Sequence, residues 1–213
     1  MHDYQREFLQ FSLDCGVLRF GDFTLKSGRR SPYFFNSGLF NTGARLAALG
    51  RFYAAAIAVR GLEFDMLYGP AYKGIPLVAT TAIALADHHA VDRPYAFNRK
   101  EAKDHGEGGE LVGAPPAGRA LIVDDVISAG TSARESVELL RAAGAEPTAM
   151  AIALDRQERG RSGKSAVQEA ADDLGLRVIA IAGLDTLLEF VDGHPEVREW
   201  RDAIAAYRAE YGT

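Results

Sequence analysis

Two adjacent carboxylates, Asp124 and Asp125, follow the apolar run Leu121-Ile122-Val123 and lead through Val126 and Ile127 into a small-residue loop, Ser128-Ala129-Gly130-Thr131-Ser132. Ionised carboxylates accept hydrogen bonds and repel phosphate, so the pair suits the hydroxyls of a ribose. The loop suits the other end of such a molecule. Helical spacing of Val137, Leu139 and Leu140 follows it and stops at Gly144, and Ser132 with Glu135 has the form of a capping box. A loop ending at a helix N-terminus offers free N–H groups and the positive end of the helix dipole to a phosphate monoester. The hydroxyls of Ser128, Thr131 and Ser132 add donors there, while Ala129 and Gly130 let the backbone come close. One block therefore reads as a cradle for a ribose 5-phosphate. The plainer alternative is a strand end followed by a capped helix, and it leaves the coincidence of all three features in one short block without a reason. A Walker B strand also reads as apolar residues followed by Asp. The only candidate Walker A loop, Gly160-Arg161-Ser162-Gly163-Lys164-Ser165, has Glu158 where the leading glycine belongs, so that reading fails on spacing.

Two further segments carry charge where chemistry could use it. Tyr72 and Lys73 follow the short apolar run at Met66, and a turn there can offer backbone N–H groups and a cation to a pyrophosphate. An ordinary strand-to-helix turn with a solvated lysine would look the same. The stretch from Arg99 to Gly113 mixes Arg99, Lys100, Lys103 and His105 with Glu101, Asp104, Glu107 and Glu110, and is loosened by Gly106, Gly108, Gly109 and Gly113. By composition it is a mobile lid, or else a solvated loop of mixed charge.

These groups need elements to hold them. Helices are expected at Tyr4 to Cys15, Ala44 to Arg60, Ile75 to His88, Ser165 to Leu174 and Glu196 to Tyr211. Strands are expected at Met66 to Tyr68, Pro94 to Asn98, Leu121 to Val123, Thr148 to Leu154 and Val178 to Ala182. The Leu121 strand is continuously apolar, which marks burial on both faces. Alternation of strands and helices predicts an α/β fold, with a central, mostly parallel sheet flanked by helices and ligands at the carboxyl ends of its strands.

Bulk composition narrows the class. At 213 residues and 47% hydrophobic, the chain can bury the core of one domain, residues 1–213, with a modest appendage. A net charge of -5 leaves no basic excess for a nucleic-acid backbone. The single cysteine, Cys15, forms no intrachain disulfide, and the N-terminus reads as no cleavable apolar leader, which together predict a cytoplasmic protein. The most apolar stretch, Leu77 to Ala86, is interrupted by Thr80 and Thr81 and is too short to span a membrane.

The block Val123 to Ser132 resembles the phosphoribosyl pyrophosphate (PRPP) motif of type I phosphoribosyltransferases. Phe23-Thr24-Leu25-Lys26-Ser27-Gly28-Arg29-Arg30-Ser31-Pro32-Tyr33-Phe34-Phe35-Asn36, Tyr68-Gly69-Pro70-Ala71-Tyr72-Lys73-Gly74, the segment Asn98 to Gly106 and Asp155-Arg156-Gln157-Glu158-Arg159-Gly160 narrow it to the orotate phosphoribosyltransferase family. Ser128 stands where many members carry threonine, and its hydroxyl is retained. The resemblance implies the type I fold with a small hood, made mainly by about residues 1–40 with C-terminal segments, and a lid at about 99–113. It implies a Mg2+-dependent transfer of phosphoribose from PRPP to orotate, with inversion at the anomeric carbon. The products are orotidine 5'-monophosphate and pyrophosphate, and the pathway is pyrimidine (UMP) synthesis. The PRPP phosphates fall to Lys73, Arg99, Lys100, Lys103 and His105, with Tyr72 in the pyrophosphate loop and a strained peptide at Ala71-Tyr72. Lys103 is the preferred acid-like or electrostatic group, and Lys26 touches PRPP or the base. Magnesium is held mainly by PRPP oxygens and water rather than by the protein. A homodimer is implied, some lid residues reaching into the neighbouring site. An arginine fork recognises a carboxylate, so Arg156 is matched to the orotate carboxylate, with Ser128, Phe34 and Phe35 around the ring. Otherwise Arg156 is a surface arginine paired with Asp155 or Glu158, and the two phenylalanines are core. Adjacent aromatics in extended chain point opposite ways, so one is expected inside and one beside the ligand. A phosphoribosyltransferase for a neutral base and a non-enzymatic PRPP-sensing regulator stay open as alternatives.

Overall fold

The computed structural model describes residues 1–25, 27–103, 109–127, 130–160 and 162–213. Helix α1 (Asp3–Asp14) leads into an antiparallel pair, β1 (Leu18–Thr24) and β2 (Arg30–Phe35), and a single 3-10 turn, Ser37–Leu39. Then follow α2 (Gly43–Arg60), β3 (Met66–Gly69), α3 (Gly74–His89), β4 (Tyr95–Lys103), β5 (Gly109–Gly113), β6 (Gly118–Val123) and α4 (Thr131–Ala142). The chain closes with β7 (Ala145–Asp155), α5 (Ala166–Leu174), β8 (Arg177–Gly183), α6 (Leu184–Gly193) and α7 (Arg201–Tyr211).

Local chemistry accounts for several boundaries. The Thr42 side chain accepts from the Arg45 N–H to start α2, which ends at Gly61 with φ 57°. Ser165 and Gln168 form a reciprocal capping box at α5, and Gly175 ends that helix with φ 71°. The expected helix from Glu196 instead begins with a 3-10 turn, Arg198–Trp200, before α7. The expected helices and strands are otherwise present within a few residues. The hairpin β1–β2, strand β5 and helix α6 were not assigned from sequence.

Six strands form one sheet in the order β5-β4-β3-β6-β7-β8, parallel throughout except for β5, which runs antiparallel to β4. Leu67, Leu121 and Val123 join one core layer with residues of α1, α2, α3 and α6. Met66, Tyr68, Ala120 and Ile122 face the other layer, with Ala133, Val137 and Leu140 of α4 and Ala170 of α5. Both faces of β6 are thus covered, and Leu121, Ile122 and Val123 are fully buried, which is why that strand reads as an unbroken apolar run.

The connections after β3 and β6 leave in opposite directions. From β3 the chain moves outward through α3 to β4, and from β6 it moves the other way through α4 to β7. α3 and α4 therefore lie on opposite faces, leaving a crevice at the carboxyl ends of β3 and β6 where open α/β sheets bind ligands.

Candidate active site

Asp124 and Asp125 lie at the carboxyl end of β6, each only 7% exposed. Both are tied into the turn that they begin. Asp124 Oδ1 accepts from the Asp125 N–H at 2.9 Å, and Asp125 Oδ1 accepts from the Val126 N–H at 2.9 Å. The Asp124 carbonyl accepts from the buried Tyr53 hydroxyl of α2 at 2.8 Å. Loss of water, then the adjacent Asp125 charge, push the Asp124 carboxyl up to about 6.

α4 starts beside them. Gly130, at φ 70°, is its N-cap and makes no side-chain cap, so the expected Ser132–Glu135 capping box is not formed. The helix begins two residues earlier than that box requires, and the Ser132 hydroxyl instead donates to Asp124 Oδ2 at 3.1 Å. A cavity of about 240 Å³ opens between the carboxylate and the helix start, lined by Asp124, Val126, Ile127, Gly130, Thr131 and Ser132 among others. Ser128 and Ala129 of the expected cradle lie outside the described residues.

Across the crevice, the loop after β3 brings Lys73 to Asp125. Its ammonium is 2.6 Å from Asp125 Oδ2. The same oxygen accepts from the Ser37 hydroxyl at 2.5 Å, so the turn after β2 reaches the carboxylate pair. The Ala71–Tyr72 peptide is cis. Asn98 Oδ1 of β4 accepts from the Ala71 N–H at 2.7 Å, which fixes this loop to the neighbouring strand. The exposed Tyr72 ring lies 5.7 Å from the Lys100 ammonium. β4 also carries Arg99, and it continues to Lys103. The segment expected to be a lid is thus flanked by paired strands, β4 and β5, and is not loop from Arg99 onward. His105 lies outside the described residues, as does Lys26.

A third group gathers at the carboxyl end of β7. The Arg156 guanidinium carbon sits 4.3 Å above the buried Tyr33 ring. Its Nε donates to Glu158 Oε1 at 2.6 Å, and its Nη2 donates to the Ser31 hydroxyl at 3.1 Å. The pairing with Glu158 foreseen as the plain reading of Arg156 is therefore present, together with an aromatic seat that a surface pair does not require. Phe35 packs towards the main core, its ring 6.2 Å from that of Phe8. Phe34 points the other way, its ring 5.5 Å from Phe23 with the Arg19 guanidinium near both. The alternation expected of adjacent aromatics on a strand is what β2 shows.

Among the described residues no group of three His, Cys, Asp or Glu side chains could hold a metal. Two carboxylates beside the cavity at the start of α4 fit an ion that arrives with phosphate and water ligands of its own.

The family model described as "Phosphoribosyl transferase domain" matches residues 38–171. The orotate phosphoribosyltransferase of Thioalkalivibrio sulfidiphilus is 66% identical over 212 residues, covering 100% of both chains. The chain belongs to the orotate phosphoribosyltransferases. A member of this family from Methylococcus capsulatus is 62% identical over 213 residues, again covering 100% of each chain. The crystal structure of the Francisella tularensis orotate phosphoribosyltransferase superposes with a TM-score of 0.87 at 41% identity, covering 97% of this chain and 100% of that one.

Ser37, Tyr53 and Asn98 each hold a part of the site in place, yet none was assigned a role from sequence. Ser37 directly follows the motif ending at Asn36, which was the one available signal. Tyr53 lies inside an apolar helix and gave none.

Proposed function

We propose that the chain transfers the 5-phosphoribosyl group of PRPP to orotate, yielding orotidine 5'-monophosphate and pyrophosphate, as a step of pyrimidine (UMP) synthesis. The observation that carries this reading is the meeting of the Asp124–Asp125 turn and the Lys73 loop across the β3–β6 crevice. Their carboxylates and ammonium are the groups that a ribose flanked by phosphates needs.

In this reading the 5'-phosphate occupies the cavity at the start of α4, held by backbone N–H groups and by the hydroxyls of Ser128, Thr131 and Ser132. Asp124 and Asp125 accept from the ribose hydroxyls. Lys73 exchanges Asp125 for the pyrophosphate, joined there by Arg99, Lys100, Lys103 and His105. Positive charge on the leaving oxygens and exclusion of water both stabilise an oxocarbenium-like centre. Closing of the 99–113 segment over bound substrate supplies both, and Lys103 is its central cation. The C1–oxygen bond to pyrophosphate breaks as the bond from C1 to the base nitrogen forms on the opposite face, so no covalent enzyme intermediate is needed. Mg2+, carried mainly by PRPP oxygens and water, would add to the neutralisation of the pyrophosphate.

The base lies towards β2 and β7. Arg156 takes the orotate carboxylate, while Phe34 and Ser128 border the ring; Phe35, which packs into the core, is the inward member of the expected pair. Lys26 touches PRPP or the base. The β1–β2 hairpin, the Ser37 turn and the C-terminal helix form a hood on this side. The active form is a homodimer in which lid residues reach the partner's site; the exposed Val59 and Ile83, on the paired helices α2 and α3, supply apolar surface for association. Among the described residues no helix is long and apolar enough to cross a membrane, and the unpaired Cys15 agrees with a reducing, cytoplasmic setting. Pyrophosphate release on mixing the protein with PRPP, Mg2+ and orotate tests the reading. A PRPP-sensing regulator would bind PRPP and release none.

A further inference from the structure

The Arg156 guanidinium is held from three sides. Beneath it lies the Tyr33 ring, and on its Nε edge lies Glu158. The third side comes from the last helix, where the buried Tyr207 hydroxyl lies 3.4 Å from Nη2. That hydroxyl donates to Glu158 Oε1 at 2.7 Å, the same oxygen that accepts from Arg156 Nε at 2.6 Å. Arg29 of the hood turn holds the other Glu158 oxygen at 3.1 Å. The chain end is sewn to the same segment. The Arg159 N–H donates to the Tyr211 carbonyl at 2.7 Å, and the Thr213 N–H donates to the Gln157 carbonyl at 3.0 Å.

An arginine side chain has many rotamers, and a planar fork recognises a carboxylate only from one orientation. Here the plane is set by stacking on Tyr33 and the rotation within it by Glu158. Nη1 makes no hydrogen bond among the described residues, so this edge of the fork is left for a ligand. Glu158 in turn depends on Tyr207. Without that hydroxyl, Oε1 keeps Arg156 as its single donor, and the carboxylate, tethered at Oε2 by Arg29, can pivot about that contact and carry Arg156 with it.

We propose that Tyr207, acting through Glu158, is a positioning residue that aims Arg156 at the carboxylate of the base, making α7 part of base recognition. The proposal rests on the reading of Arg156 as the orotate carboxylate ligand. Steady-state kinetics of the full-length protein with orotate and PRPP test it, using Tyr207→Phe, Arg156→Gln and the double variant. Tyr207→Phe should raise the KM for orotate on the order of tenfold, as expected for one hydrogen bond to a charged group, with the KM for PRPP and the melting temperature changed little. In the Arg156→Gln background the same change should add nothing, which a purely structural role for Tyr207 would not produce. An orotate KM left at the wild-type value in Arg156→Gln overturns the carboxylate reading itself. A raised KM in Arg156→Gln with none in Tyr207→Phe overturns only the positioning role, as does an equal Tyr207→Phe effect in both backgrounds. Should Tyr207→Phe fail to fold, Glu158→Gln must show the same selective rise in orotate KM, and a wild-type value there overturns the proposal.

Discussion

Asp124 is ionised in a place that disfavours ionisation. Burial and the adjacent Asp125 raise its carboxyl from an ordinary 3.8 to about 6, so the folded protein holds this proton more tightly than the unfolded chain does. The stabilisation is complete below the unfolded value and is lost as pH rises through about 6. Thermal melts from pH 8 down to pH 5 should show this contribution growing, and Asp124→Asn should raise stability at pH 8 by roughly 1–3 kcal/mol while flattening the trend. Activity has the opposite sign. Protonation turns one Asp124 oxygen from an acceptor into a donor and removes the charge that strengthens its hydrogen bonds to the ribose, so kcat/KM for PRPP should fall as pH drops below about 6. At the lid, Lys103→Ala should lower kcat by about 100-fold or more with orotate affinity little changed, because its charge matters when pyrophosphate departs; turnover equal to wild type would remove Lys103 from the mechanism. The gathering of Asp124, Thr131 and Ser132 around one cavity was legible in the sequence, because they stand in one short block. Ser37 was not, because its partner Asp125 stands 88 positions away.

The turn between β3 and α3 is packed so tightly that it admits no side chains at two positions. A Cβ on Gly74 would come within 2.5 Å of Pro70 Cδ and 2.8 Å of the Gly69 carbonyl carbon. Gly74→Ala should therefore cost about 1–3 kcal/mol in denaturant unfolding and, by moving Lys73, weaken PRPP more than orotate in substrate KM. Strands buried on both faces and helices with clear punctuation, such as β6 and α5, follow from their residue pattern. Three elements do not. The β1–β2 hairpin is amphipathic and interrupted by a bulge between Phe20 and Phe23, so its period is broken. β5 is a glycine-bounded strand inside a segment whose charge and glycine content read as loop. α6 starts immediately where β8 ends, at Gly183, with no connecting loop to separate two apolar runs. The capping box at Ser132 does not form because α4 already starts at Thr131, with Gly130 in the αL conformation as its N-cap.

At the scale of the molecule, the parallel sheet and its switch point place the Asp124–Asp125 turn and the Lys73 loop on adjacent strands, while the group around Arg156 is assembled from residues far apart in sequence. Tyr33, Arg156 and Tyr207 come from β2, the end of β7 and α7 in turn, so only tertiary structure shows that they meet. The proposed homodimer with a shared lid makes a further prediction. Asp124→Asn and Lys103→Ala proteins, each nearly inactive, should regain about a quarter of wild-type activity when unfolded and refolded together, because half of the dimers then contain one intact site of two. Activity no higher than the average of the two parents would mean that each site is completed by its own lid. The most direct test of the central claim is base choice. With PRPP and Mg2+ present, the absorbance of orotate should change on adding the protein while that of uracil and hypoxanthine stays constant; consumption of either neutral base with orotate untouched would contradict the account.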